Sequence, residues 1–257
     1  MIEHTANPLV FNAKINNTKY AKATENHAHC PFCETESLTN IIRTDDHKIW
    51  LKNKYSTIEE SLMTVIIESD QHLGDVSIYS QAENRQVFKF AFECWDQLIA
   101  SADYASVLMF KNFGPRSGGT LRHPHMQIVG LKNVDGYQNI SPENFEGVKV
   151  KEGSTSVSIS TRPIMGFVEF NVAISDLKNV EALADDVQLI TQYLLNDYLE
   201  GRCDSYNLFF HHFAGRYICK IVPRFITSPY FIGYKLSQVN QDEKLTEIAE
   251  TLKTRLT

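Results

Sequence analysis

One order of elements occurs twice in this chain. In the first half, Thr64–Glu68 (TVIIE) is a short β-branched run with the character of a buried strand. A helix is predicted from Ala82 to Ser101, because Val87, Phe88, Ala91, Trp95, Leu98 and Ile99 recur on one face at helical period. Two strands follow, Ser106–Asn112 and His125–Leu131, with the glycine-rich Gly114–Thr120 between them. In the second half, Gly166–Ala173 reads as a strand. A helix then runs from Glu181 to Leu199, with Leu183, Val187, Ile190, Tyr193, Leu194 and Tyr198 on its apolar face. The strands Tyr206–His212 and Tyr217–Val222 come next, and a helix Asp242–Lys253 follows them. The offset between the two series is roughly 95 to 100 residues, as a divergent duplication leaves it. Such a chain is constrained to an α+β fold of two tandem divergent halves forming a mainly antiparallel sheet with packed helices. The expected organisation is a single unit over 1–257, with an amino-terminal half 1–135 and a degenerate carboxyl-terminal half 155–257. Between them Lys132–Ser154 is polar and turn-rich and reads as a surface loop.

Composition narrows the partners. Acidic residues number 31 against 25 basic, a net charge of -6, with 43% hydrophobic and 22% charged residues. A nucleic-acid-coating protein usually carries a basic stripe, so nucleic acid is not an expected partner. No run approaches the ~20 apolar residues of a membrane-spanning helix, so no membrane association is expected. The segment Met1 to Asn7 lacks the basic and apolar regions of a secretory signal. The five cysteines, Cys30, Cys33, Cys94, Cys203 and Cys219, are odd in number and irregular in spacing, which argues against a disulfide framework. These features together predict a reduced, cytoplasmic protein.

The chemistry concentrates in one run, Asn112-Phe-Gly114-Pro-Arg-Ser-Gly118-Gly119-Thr120-Leu-Arg-His123-Pro124-His125-Met-Gln127. Gly114, Gly118 and Gly119 allow backbone N–H groups to approach an anion closely, and Thr120 adds a hydroxyl donor. His123 and His125 alternate on a strand, so both imidazoles project from one face. A neutral imidazole attacks a phosphoryl centre when its other ring nitrogen is held protonated by an acceptor. A bare His-x-His pair is more often a surface pair or a metal clip. The glycine nest and Gln127 favour the functional reading.

Cys30-Pro31-Phe32-Cys33 is either half a zinc site or a redox pair. A redox pair should follow a strand and open a helix, whereas this one follows the polar Thr24–His29, so zinc is favoured. With no second Cys-x-x-Cys, the remaining ligands must be histidine or acid. Among His27, His29, His47, His72, His123, His211 and His212, spacing alone does not choose.

These residues resemble a known family. The run from Asn112 to Gln127 is similar, without a gap, to the active-site signature of galactose-1-phosphate uridylyltransferases, the transferase branch of the histidine-triad (HIT-like) superfamily, with Thr120 where serine is common. Cys30-Pro31-Phe32-Cys33 resembles their amino-terminal zinc half-site, and Glu68-Ser-Asp-Gln-His72 the segment supplying a third zinc ligand. Leu51-Lys-Asn53-Lys-Tyr55 resembles a stretch lining the base pocket, and Tyr230-Phe-Ile-Gly-Tyr-Lys235 a carboxyl-terminal motif. The resemblance implies that His125 is the nucleophile and that Gln127 hydrogen-bonds the covalent nucleotidyl-histidine. It places phosphate contacts at Asn112, Thr120 and the glycines, and one structural zinc on Cys30, Cys33, His72 and His123. The His123 carbonyl would accept the Nδ1 proton of His125, leaving the Nε2 lone pair for attack. A neutral amide at Gln127, where hydrolases of the superfamily have a third histidine, suits transfer more than hydrolysis.

The departures bear on specificity. Lys19 and Lys22 stand where the family has two arginines near the phosphates, which keeps charge but loses the bidentate fork. Lys235 replaces a glutamate that contacts hexose hydroxyls, so galactose-1-phosphate is not supported as the acceptor. The strand equivalent to the histidine strand reads Tyr217-Ile-Cys219, so a second metal site is not expected. His211 and His212, facing opposite ways, read as one core and one surface histidine. The resemblance thus implies a nucleotidyltransferase acting by double displacement on a nucleoside diphosphate sugar or related donor. The alternatives are a phosphorylase or hydrolase of the same fold, or a zinc-stabilised nucleotide-binding protein without turnover. The partner is a small-molecule nucleotide or nucleotide sugar, with a homodimer by family analogy.

Overall fold

The structure, a computed structural model, describes residues 8–14 and 30–256. Lys19, Lys22, His27 and His29 therefore lie outside the described residues. The chain divides into two compact units that interleave along the sequence. The first comprises 1–74, 90–109 and 123–139, and the second 75–89, 110–122 and 140–257.

In the first unit β1 (Ile41–Asp45), β2 (Lys48–Lys52), β3 (Ser61–Ile67) and β5 (His125–Leu131) pair antiparallel in that order. β5 is the strand on which the sequence placed the histidine motif, with the same bounds. Met126 and Ile128 are fully buried on one of its faces, while His125 and Gln127 occupy the other, opposite Ile67 and Val65. The helix α1 (Gln81–Ala100) gives its last eleven residues, Phe90 onward, to this unit, where the Trp95 indole donates to the Val107 carbonyl at 3.1 Å. β4 (Ser106–Phe113) gives its first four residues to this unit and its last four to the other.

In the second unit β10 (Tyr206–Phe213), β11 (Arg216–Pro223), β9 (Phe170–Ile174), β7 (Ser156–Ser160) and β6 (Gly147–Glu152) pair antiparallel in that order. A short parallel pair joins β8 (Gly166–Phe167) to β12 (Gln238–Val239). The helix α2 (Val180–Asn196) packs on β9 and β11, with Leu183, Val187, Ile190 and Leu194 fully buried. The opening turns of α1 meet α2 through the bidentate Arg85–Asp185 pair and the Asn84 amide donating to the Ala184 carbonyl. A short helix α3 (Pro229–Tyr234) and the amphipathic α4 (Asp242–Lys253), packed on β6 and β7, complete the unit.

The α+β class and the mainly antiparallel strand pairing are as the sequence implied. Five strands escaped it, β1, β2, β6, β7 and β12, and the strand read over Gly166–Ala173 is two, β8 and β9. For three of the five a physical reason is plain. β6 lies inside the stretch read as a loop, because only Val150 is buried and a register shift between Lys149 and Lys151 breaks its alternation. β1 has no buried residue at all. β7 is a serine-rich strand, SVSIS, whose hydroxyls satisfy loop carbonyls: Ser158 donates to Phe145 and Ser160 to Asn144. His211 is buried and its pKa is pushed down to about 3, first by burial and then by the Lys220 charge, so it stays neutral. His212 is partly exposed and stacks on Tyr217 at 4.4 Å. Among the described residues no helix is long and apolar enough to cross a membrane.

A buried ion pair anchors the second unit. Glu169, fully buried, accepts from the backbone N–H groups of Ile164, Met165 and Gly166, and the Lys220 ammonium lies 3.0 Å away. Lys220 also donates to the Asn144 carbonyl and Ser160 hydroxyl. Removing one partner of such a pair strands the other in low dielectric. Glu169→Ala is expected to destabilise the protein by about 3–5 kcal/mol, read as a lower midpoint in chemical denaturation.

Candidate functional site

The first unit gathers the Cys-x-x-Cys pair with His72, His123 and His125. Pro31, Phe32 and Cys33 form a tight turn closed by the Cys33 N–H donating to the Cys30 carbonyl at 3.0 Å. Phe32 and Leu38 pack against Ile49, Leu51 and Ile67, which seats the turn on β2 and β3. The Phe32 ring also meets His125 edge-on at 5.5 Å and His123 at 5.9 Å. Beyond β3 the chain turns through Ser69–Gly74 and brings His72 to the same place.

The metal-ligating atoms of Cys30, Cys33, His72 and His123 all lie within 4.8 Å of one another, and this group can hold a metal ion. The Cys33 Sγ is 3.4 Å from Nδ1 of His72 and 3.4 Å from Nδ1 of His123. Zinc at ~2.3 Å from sulfur and ~2.0 Å from nitrogen needs donors about 3.5 Å apart at the corners of a tetrahedron, so spacing and donor chemistry both fit zinc. His123 is fully buried, and its Nε2 lies 2.8 Å from the Ser69 carbonyl. A carbonyl only accepts, so Nε2 carries the proton and Nδ1 carries the lone pair that faces the thiols. Cys33 is exposed, yet local desolvation, and then the hydrogen bond and charge of Cys30, push its thiol up; a cation offsets that cost by binding the thiolate.

The same residue holds His125. The His125 Nδ1 lies 2.7 Å from the His123 carbonyl oxygen, so Nδ1 donates and the neutral ring has its lone pair on Nε2. His125 is 8% exposed, and Gln127 follows it on the same strand face, partly exposed. Asn53 lies just past β2, where its side-chain oxygen accepts from the Tyr55 N–H and its own N–H donates to the Met63 carbonyl.

The glycine turn and Asn112 belong to the second unit. Gly114 and Gly118 adopt φ of +85° and +86°, a region L side chains rarely enter. At Gly114 a Cβ would also collide with the Asp204 carbonyl and with Ser205, whereas at Gly118 the space is open. Ser117 pins the turn: its hydroxyl donates to the Gly114 carbonyl at 2.7 Å and accepts from the Gly119 N–H. Thr120 is exposed at the end of the turn. Lys235 follows α3 in the left-handed conformation and is exposed.

Sequence reasoning missed the groups that support this turn. The Asn207 amide nitrogen donates to Asn112 Oδ1 at 2.6 Å and to the Ser117 carbonyl at 3.1 Å, and Arg224 donates to Asn207 Oδ1 at 2.8 Å. Buried Asp75 accepts from the Tyr206 hydroxyl and from Ser77, with the Lys111 ammonium 3.5 Å away. Their only sequence signal is a polar residue inside an apolar run, at Asn207 and Lys111. Ser69, which orients His123, gave none.

Two family models match the chain: the N-terminal domain of DUF4931, a domain of unknown function, over residues 11–134, and its C-terminal domain over 137–256. A DUF4931 family protein from Bacillus cereus is 39% identical, with a TM-score of 0.76 over 84% of this chain and 99% of that one. The chain belongs to the DUF4931 family. More distant structures share the fold of this DUF4931 protein. An ADP-glucose phosphorylase from Arabidopsis thaliana is 14% identical with a TM-score of 0.70, covering 91% of this chain and 92% of that one. A uridylyltransferase is 16% identical with a TM-score of 0.68, covering 90% and 93%. No curated protein matches the DUF4931 chain.

Thiol chemistry tests the metal group. Burial pushes the Cys94 thiol up to about 12 and raises those of Cys203 and Cys219. In the zinc-loaded DUF4931 protein no thiol should react rapidly with a disulfide reagent near pH 8. Chelation should release Cys30 and Cys33 alone, with a lower melting temperature, and the other three should react only on unfolding. Rapid reaction of all five in the native protein would contradict this arrangement.

Proposed function

We propose that this DUF4931 protein is a nucleotidyltransferase acting by double displacement through a covalent nucleotidyl-His125. The observation that carries the reading is the 2.7 Å hydrogen bond from His125 Nδ1 to the His123 carbonyl, which leaves the Nε2 lone pair as the nucleophile. Nε2 attacks the α-phosphorus of a nucleoside diphosphate sugar or related donor. An N–P bond forms, the bridging P–O bond breaks, and the sugar phosphate leaves with the electron pair. The Nδ1 proton stays on the ring, shared with the His123 carbonyl, which spreads the positive charge. A phosphate oxygen of the second substrate then attacks phosphorus, the N–P bond breaks, and neutral His125 is regenerated.

Gln127 hydrogen-bonds the phosphoryl group without a proton to give, which favours transfer over hydrolysis. Asn112, Gly114, Gly118, Gly119 and Thr120, a few residues before His125 in the chain, supply donors to phosphate oxygens. Asn53 lines the base side, and Lys19 and Lys22 add charge. Cys30, Cys33, His72 and His123 hold one zinc ion. Four protein ligands leave no open coordination position, so the ion is structural, and it fixes the residue that orients His125. The halves 1–135 and 155–257 are read as duplicates of which only the first kept the histidines. A homodimer accords with the large apolar side chains left exposed at Ile226, Ile232 and Tyr234.

Phosphorolysis is the second reading, favoured by one observation. An ADP-glucose phosphorylase with bound ADP-glucose shares the fold at a TM-score of 0.70. There the second substrate is inorganic phosphate in place of a sugar phosphate.

Incubation with UDP-glucose or ADP-glucose labelled at the α-phosphorus tests the proposal. Acid-labile label is expected on the wild type and absent from His125→Ala. Equal labelling of the two, or none with either donor, would sink it. Release of the label by phosphate alone selects phosphorolysis, and release only by a sugar phosphate selects transfer.

A further inference from the structure

An asparagine facing a ligand can present either a donor or an acceptor, since its amide oxygen and nitrogen are nearly the same size. What decides is the polarity of the groups behind it. We propose that Arg224 is a positioning residue that sets the polarity of a relay, Arg224–Asn207–Asn112, so that Asn112 presents its N–H donors to an anionic oxygen; this rests on the reading of Asn112 as a phosphate ligand.

A guanidinium only donates. The Arg224 Nη1 lies 2.8 Å from one polar atom of the Asn207 amide, which is therefore the oxygen. The other atom is the nitrogen, and it lies 3.1 Å from the Ser117 carbonyl, which only accepts. Two independent partners thus fix the same orientation. The nitrogen also lies 3.4 Å from the Lys111 carbonyl and 2.6 Å from Asn112, and at that shorter distance it must meet the Asn112 oxygen, since two amide nitrogens repel. With Oδ1 of Asn112 engaged as acceptor, the polar atom left to it is the amide nitrogen, which carries two N–H groups.

The surroundings favour an anion at that end. Arg224 is held at the close of β11 by its own N–H donating to the Ser205 carbonyl at 2.8 Å. Among the described residues it forms no ion pair, and its Nε is buried without a hydrogen-bond partner. Burial is the cause that lowers its pKa, and no neighbouring acid counteracts it. The relay therefore ends in a positive charge that no acid offsets. Asn207 also ties Asn112 to the glycine turn through the Ser117 carbonyl, so the donor and the turn are set by one amide.

Asn207→Asp separates polarity from shape. The aspartate is isosteric and keeps Arg224 paired, but it cannot donate to Asn112 or to Ser117. Asn112 then turns its nitrogen back to the carboxylate and its oxygen outward. Pyrophosphate, which needs no turnover to bind, is the probe, followed by titration calorimetry with the melting temperature of each variant. Relative to wild type, Asn207→Asp and Arg224→Met are expected to bind about 10- to 100-fold more weakly. Arg224→Lys, which still donates to Asn207, should recover most of the loss. The melting temperature should change little for Arg224→Lys and fall for Asn207→Asp, whose carboxylate meets the Ser117 and Lys111 carbonyls, so the recovery of binding in Arg224→Lys relative to Arg224→Met is what a merely structural role would not give. Wild-type affinity in Asn207→Asp, or equal loss in Arg224→Lys and Arg224→Met, would overturn the relay. If Asn207→Asp fails to fold, the two Arg224 variants decide by the same titration. Relay-dependent pyrophosphate binding without label on His125 would support the relay while removing the transfer reaction. Label that forms equally in wild type and all three variants would do the reverse.

Discussion

His123 makes two contacts at once, and the rest of the candidate chemistry hangs on them. Its ring, proton on Nε2 against the Ser69 carbonyl, turns Nδ1 toward the thiol of Cys33. Its backbone carbonyl accepts the Nδ1 proton of His125. A metal held by the ring would thus sit on the very residue whose carbonyl fixes the tautomer of His125, the proposed nucleophile. A metal can in this way orient a reacting group without touching the substrate. Phe32, in the turn between the two cysteines, packs on the strands and against both imidazoles, so the same short segment supplies thiols and wall.

The second unit relies on hydrogen-bond polarity where the first groups side chains able to hold a metal. Asn207, Ser117 and Arg224 restrain a glycine turn whose φ angles at Gly114 and Gly118 exclude most side chains. Elsewhere in the unit the buried charges are paired. Glu169 and Lys220 answer each other, as do Asp75 and Lys111, with hydroxyls and backbone groups filling the remaining positions. Arg224 is set apart from these pairs in that, among the described residues, no acid pairs with it.

Much of the fold was legible because apolar periodicity marks elements buried on one face. The predicted strand His125–Leu131 has the observed bounds, and the two long helices shift by only one to three residues at their ends. β1 and β6 were not legible, since neither buries more than one side chain, and β7 spends its small hydroxyls on loop carbonyls. The metal group divides in the same way. Cys30 and Cys33 announce themselves by spacing, whereas His72 and His123 become partners only when β3 and β5 lie side by side. Asn207 and Arg224 lie about 95 and 110 residues from Asn112, and no local pattern carries a contact made at that range.

The His123 carbonyl, 2.7 Å from Nδ1, holds the proton of His125 on that nitrogen. Long-range 1H–15N correlation spectra of the zinc-loaded protein at neutral pH, with His125 assigned by its absence from His125→Ala, report that tautomer directly. The account predicts a neutral imidazole with Nδ1 protonated and Nε2 bearing the lone pair. A neutral ring protonated on Nε2 would contradict it.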